Sequence, residues 1–114
     1  MAFNPVDYYH LANWLYCQRE KLHFGESPVR AVVSKAYYGV FLEARNKAGI
    51  TSKSPTVHQQ VINYYNQKNK SALANRLDSM RSSRNDADYD TSLTFTSREA
   101  GIALAHAKKV LDDL

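Results

Sequence analysis

Apolar residues along this chain return at intervals of three and four, in blocks separated by Pro, Gly and Ser, without the strict alternation of a half-solvated strand. The second block is the densest. Val29, Val32, Val33, Ala36, Tyr37, Val40, Phe41 and Ala44 form one continuous stripe, which predicts a central helix capped by Ser27, opened by Pro28 and ended by a left-handed Gly49. Its β-branched valines favour a strand mildly, but about twenty residues is too long for one. The first block reads as a helix from Pro5 to His23, with Asn4 as cap, Asp7 at the positive dipole end and Phe24-Gly25 as the exit. Leu11, Trp14, Leu15 and Leu22 carry its helical spacing.

After an Ile50 to Pro55 loop, Thr56 is placed to cap a shorter helix whose inner face is Val57, Val61, Ile62 and Tyr65. A fourth helix is expected from Ser71 to Asp86 or slightly beyond, followed by a polar connection from Asp88 to Phe95. The last opens on Thr96-Ser-Arg-Glu99, the spacing of a capping box, and turns Ala100, Ala103, Leu104, Ala107, Val110, Leu111 and Leu114 inward. The expected fold is therefore all-α, an antiparallel bundle of about five helices.

Composition adds size and surroundings. The 114 residues, 44% hydrophobic and 23% charged, fit one globular domain over residues 1–114. No apolar run approaches the roughly 20 residues that span a bilayer, so no membrane partner is expected. The lone Cys17 builds no intrachain disulfide and points to a reducing, cytoplasmic setting. A formal charge of +4 biases the chain mildly toward anions, although its basic residues are scattered. Neither cofactor nor metal is expected. Gly25, Gly39, Gly49 and Gly101 stand apart and form no phosphate loop, and His10, His23 and His106 lack the spacing of a zinc set.

The residue that carries chemistry is an arginine on an apolar stripe. Leu73, Leu77, Met80, Arg84 and Ala87 follow one another at spacings of four, three, four and three. An isolated buried guanidinium is costly, so Arg84 should be paired, lie at a subunit interface, or face a cleft that takes an anion. Arg81, Asn85 and Asp88 project from the edge beside it. One reading pairs Arg84 with Asp88 four residues on, a bridge worth about 0.3–0.5 kcal/mol when exposed. The other uses the guanidinium fork, which matches phosphate oxygens bidentately. Eight tyrosines offer stacking faces; the adjacent Tyr37 and Tyr38 differ by about 100° in direction, which sends one to the core and the other toward a partner surface.

Ser34-Lys-Ala-Tyr-Tyr-Gly-Val-Phe41, then Thr56-Val-His58, then Arg81-Ser-Ser-Arg-Asn-Asp-Ala-Asp-Tyr89 resemble, in order and spacing, the segments of the HEPN superfamily written KAYYAVF, TH and RNxADY. The resemblance covers Asn4 to Leu114. It implies a helical bundle that dimerises and, in active members, a metal-independent ribonuclease with an R-x(4–6)-H motif supplied by both protomers. By that resemblance Arg84 is the motif arginine, Asn85 the polar residue after it, and Tyr89 stands where the histidine of an R-x4-H motif would be. Arg84, Asn85 and Tyr89 are thus the candidate catalytic residues, with Arg81, Asp88, His58 and Tyr38 as candidate substrate-binding residues. A tyrosine, with an ordinary pKa near about 10, is a poor base at neutral pH.

Three readings follow. The chain binds RNA or a nucleotide phosphate as a homodimer, as a ribonuclease or toxin-like component. Alternatively it is a non-catalytic regulatory partner of a nucleotidyltransferase, as HEPN proteins are often described. In some such pairs a tyrosine two residues after the motif histidine is nucleotidylated, a position held here by Thr91. The third reading is a helical dimerisation scaffold.

Overall fold

The computed structural model describes residues 3–114, which form α1 (Val6–Gln18), α2 (Ser27–Lys47), α3 (Val57–Gln67), α4 (Ser71–Tyr89) and α5 (Ser97–Asp113), with no strand among them. The fold is an all-helical bundle. Helix α2 touches each of the other four, and its predicted stripe is the core: Val32, Val33, Ala36, Tyr37, Val40, Phe41 and Ala44 are all buried. Each fully buried valine there contributes roughly 1.5–3 kcal/mol through apolar surface removed from water.

The helix ends follow from local chemistry. Asn4 Oδ1 accepts the Val6 amide at 3.1 Å from just outside α1, whose cap position is held by Pro5 instead of Asn4. Gly49, at φ +72°, closes α2 with a Schellman pair in which the Ile50 amide donates to Arg45 O and the Gly49 amide to Asn46 O. Thr96 and Glu99 form the reciprocal capping box at the start of α5. Between α3 and α4 the chain reverses through Asn69 at φ +61°, a left-handed conformation that asparagine tolerates.

Three expectations are corrected. Helix α1 ends at Gln18, five residues short of His23, and Leu11 and Trp14 lie on its exposed side at 40% and 55%. Ala12 instead makes the buried contact, with Tyr9, Leu15 and Tyr16 partly covered beside it. The reason is close approach: a Cβ at Gly39 of α2 would lie 2.8 Å from the Tyr9 amide nitrogen, so only glycine lets α1 sit there. Ser27 is already within α2, where Glu26 holds the cap position. Helix α4 runs three residues past Asp86, which places Asp88 and Tyr89 on its last turn instead of in the connection.

That longer helix end is held by Arg30. Its Nη1 donates to the carbonyls of Asp86, Ala87 and Asp90 at 3.0–3.3 Å, its Nη2 donates to Leu93 O, and its Nε donates to Glu26 Oε1 at 3.1 Å. The last carbonyls of a helix have no partner within it and carry its negative dipole end, so a cation there satisfies both hydrogen bonding and field. Glu26 completes the clamp by accepting the Phe95 amide at 2.9 Å, and this donor, with Arg30, holds its carboxyl below the ordinary range.

Candidate functional site

Helix periodicity brings Arg81, Arg84 and Asp88 onto one stripe of α4, at spacings of three and four. On α2, Ser34, Tyr37 and Phe41 form a matching stripe. His58 enters from the first turn of α3. The three helices meet around these side chains.

Arg84 is only 7% exposed. Its Nη1 lies 3.6 Å from Asp88 Oδ2, beyond hydrogen-bond length, and its Nε is buried without a hydrogen-bond partner. Arg81 likewise has a buried Nε without one. Two aromatic faces flank the Arg84 guanidinium, with Cζ 5.8 Å from the Tyr37 centroid and 5.2 Å from that of Tyr38. These cation–π contacts soften its desolvation but fill no donor direction. Asp88 is itself shared, accepting from Ser34 Oγ at 3.3 Å, and its side chain is 29% exposed.

His58 is fixed by packing and by one hydrogen bond. Its ring stacks on Phe41, with centroids 4.1 Å apart and planes 10° from parallel, and its Nδ1 lies 2.5 Å from the Tyr37 hydroxyl. Loss of solvent, and then the charges of Arg81 and Arg84, push its pKa down to about 4. Burial moves the Tyr37 phenol the other way, well above its ordinary range, against the pull of the same two arginines. A phenol that keeps its proton beside a neutral imidazole can donate to Nδ1, an arrangement that puts the imidazole hydrogen on Nε2.

Of the residues singled out from sequence, the structure gathers Arg81, Arg84, Asp88, His58 and Tyr38. Asn85 and Tyr89 are exposed, Tyr89 at 76%. Five residues of continuous helix rotate Tyr89 by about 140° from Arg84, which leaves it on the exposed side of α4 and off the buried Arg84 stripe. Sequence reasoning missed Ser34 and gave Tyr37 no role at the site. Their three-residue spacing on α2, in step with Phe41, was the available signal.

A separate cavity of about 360 Å³ opens between α2, α4 and α5, walled by Val33, Met80, Phe95, Ile102 and Ala103, and holds none of the residues above. No helix among the described residues is long and apolar enough to cross a membrane. Comparison of the chain with protein-family models, with curated proteins and with solved structures finds no match.

Proposed function

We propose that this chain is a HEPN-like helical domain that binds the phosphate of RNA or of a nucleotide at the Arg81–Arg84 site and works as a homodimer. The observation that carries the reading is the state of Arg84: a guanidinium only 7% exposed with its Nε unpartnered. Burying such a charge costs several kcal/mol unless it is paired and hydrogen-bonded, and the single 3.6 Å approach of Asp88 does neither well. A phosphate oxygen supplies both, with the planar fork as its receptor. Tyr38, half-buried against the same guanidinium, offers a face on which a base can stack.

Binding is favoured over cleavage on α4 alone, because the HEPN motif's histidine position is occupied by Tyr89, which points away from Arg84. Its exposed phenol keeps the second reading open in one form, a surface offered to a nucleotidyltransferase. The test is fluorescence anisotropy with a labelled single-stranded RNA and calorimetry with AMP, both in EDTA. Wild type is expected to bind at least one of them, Arg84→Met to lose at least tenfold in affinity, and Arg84→Lys to fall between. Equal affinity of wild type and Arg84→Met would overturn the proposal. The same RNA samples, run on a denaturing gel, show whether binding leads to cleavage.

A further inference from the structure

Beside the arginines lies the histidine of the Thr56-Val-His58 segment, to which the phosphate reading above gives no task. His58 is the only charged or chargeable residue of α3 besides Tyr64 and Tyr65, and the Tyr65 hydroxyl is engaged elsewhere, donating to Ala44 O at 2.7 Å. The groups facing His58 from other elements are the Tyr37 hydroxyl on α2 and the guanidinium groups of Arg81 and Arg84 on α4. The nearest carboxylates act at one remove: Asp88 on Arg84 and Ser34, and Asp78 on Tyr37. Among the described residues no ion pair holds the ring.

Three positive influences thus converge on one imidazole: two guanidinium groups, and the amide dipoles of the α3 first turn on which it sits. Added to the loss of solvent, which is the larger cause, they keep it neutral while the site is empty. An anion received between Arg81 and Arg84 cancels much of that field at the ring, and the balance then shifts toward imidazolium. The Tyr37 hydroxyl permits the change without an orphaned hydrogen. When Nδ1 takes a proton, the bond reverses: Nδ1 donates to Tyr37 Oη, and the phenol hydrogen turns outward to a new acceptor, which an anion oxygen supplies.

We propose that His58 is the proton-coupled member of the anion site, so that phosphate binding at Arg81 and Arg84 draws one proton onto His58 through the Tyr37 hydrogen bond and strengthens as pH falls. The inference rests on the phosphate reading above and adds its regulation. It places a positioning residue, not a catalytic one, on α3.

The probe is inorganic sulfate, whose charge does not change in this range, whereas phosphate itself titrates near neutrality. The chemical shifts of the four histidines are followed by NMR from pH 7.5 to 4.5 with and without sulfate, and sulfate affinity is measured at pH 7.5 and 5.0. His58 is expected to titrate about two pH units higher with sulfate bound, and affinity to rise fivefold or more at pH 5.0. That rise should vanish in His58→Gln and persist in Asp88→Asn, which removes the carboxylate beside Arg84. A His58 midpoint unmoved by saturating sulfate overturns the inference, and needs no variant to fold. So does an equal pH slope in wild type and His58→Gln. Sulfate binding that is lost in Arg84→Met yet lacks the His58 response leaves the phosphate reading standing; binding indifferent to Arg84→Met removes both.

Discussion

Arg30 and Arg84 stand on neighbouring helices, both largely withdrawn from water, and the fold treats them in opposite ways. Every nitrogen of the Arg30 guanidinium donates to a protein acceptor, four backbone carbonyls and the Glu26 carboxylate. Arg84 is more deeply buried, yet its Nε has no partner and its nearest carboxylate stops at 3.6 Å. Burial alone thus does not distinguish a strut from a receptor. What distinguishes them is whether the folded chain satisfies the donors, because an arginine kept for structure relieves its desolvation internally and one kept for a ligand cannot.

The contrast breaks most readily at Arg30. Arg30→Ala leaves the final carbonyls of α4 and the Leu93 carbonyl without their donor, and a loss of about 2–3 kcal/mol in urea unfolding is expected from charged hydrogen bonds of this kind. Arg84→Met removes a costly charge from an apolar stripe while Asp88 keeps its contact with water and Ser34. Its stability is expected to stay within about 1 kcal/mol of wild type, or to rise, as apolar replacements of buried ions often do. If Arg84→Met costs as much as Arg30→Ala, both arginines are struts and the comparison collapses.

A pH series sharpens the same contrast on a smaller scale. His58 has its folded pKa pushed down to about 4 from an ordinary 6.5, so the unfolded chain takes up this proton first. The contribution of neutral His58 is complete above about pH 6.5 and is lost as pH falls to about 4. Glu26, Asp90 and Glu99, all with lowered pKa values, lose stability in the acid range as well, so the test is a difference. Thermal unfolding midpoints of His58→Gln should fall less steeply than those of wild type between these pH values, and parallel curves would show that the fold does not hold His58 neutral. Smallest of all, Tyr89→Ala should change stability by less than about 0.5 kcal/mol, as exposed positions do. A larger loss would mean that Tyr89 packs with the Arg84 end after all.

Helix punctuation was legible because it is local. Gly49 and the Thr96 to Glu99 box act through backbone groups a few residues away, and the structure finds both in their expected roles, while α1 starts one residue late, at Val6, with Pro5 in the cap position. The inner face of α1 was not legible, since large Leu11 and Trp14 outweigh small Ala12 in any periodicity count. Their exposure follows from Gly39, a residue on another helix that admits the Tyr9 backbone. The end of α4 was misplaced for a similar reason. Asp86 to Tyr89 reads as a polar exit, and only the Arg30 donors, nearly sixty positions earlier, extend the helix through it.

The sequence by itself determined that the chain is helical, where most helices begin and end, and that Arg84 lies on an apolar stripe. Those are consequences of spacing within about one turn. Tertiary structure decided what surrounds that arginine: His58 rather than Tyr89 comes to its side, Ser34 and Tyr37 close the wall, and Asp88 approaches without completing a pair. Such meetings depend on how three helices are rotated against one another. No pattern within one helix records that rotation, because it is fixed by side chains packed between helices that are distant in sequence.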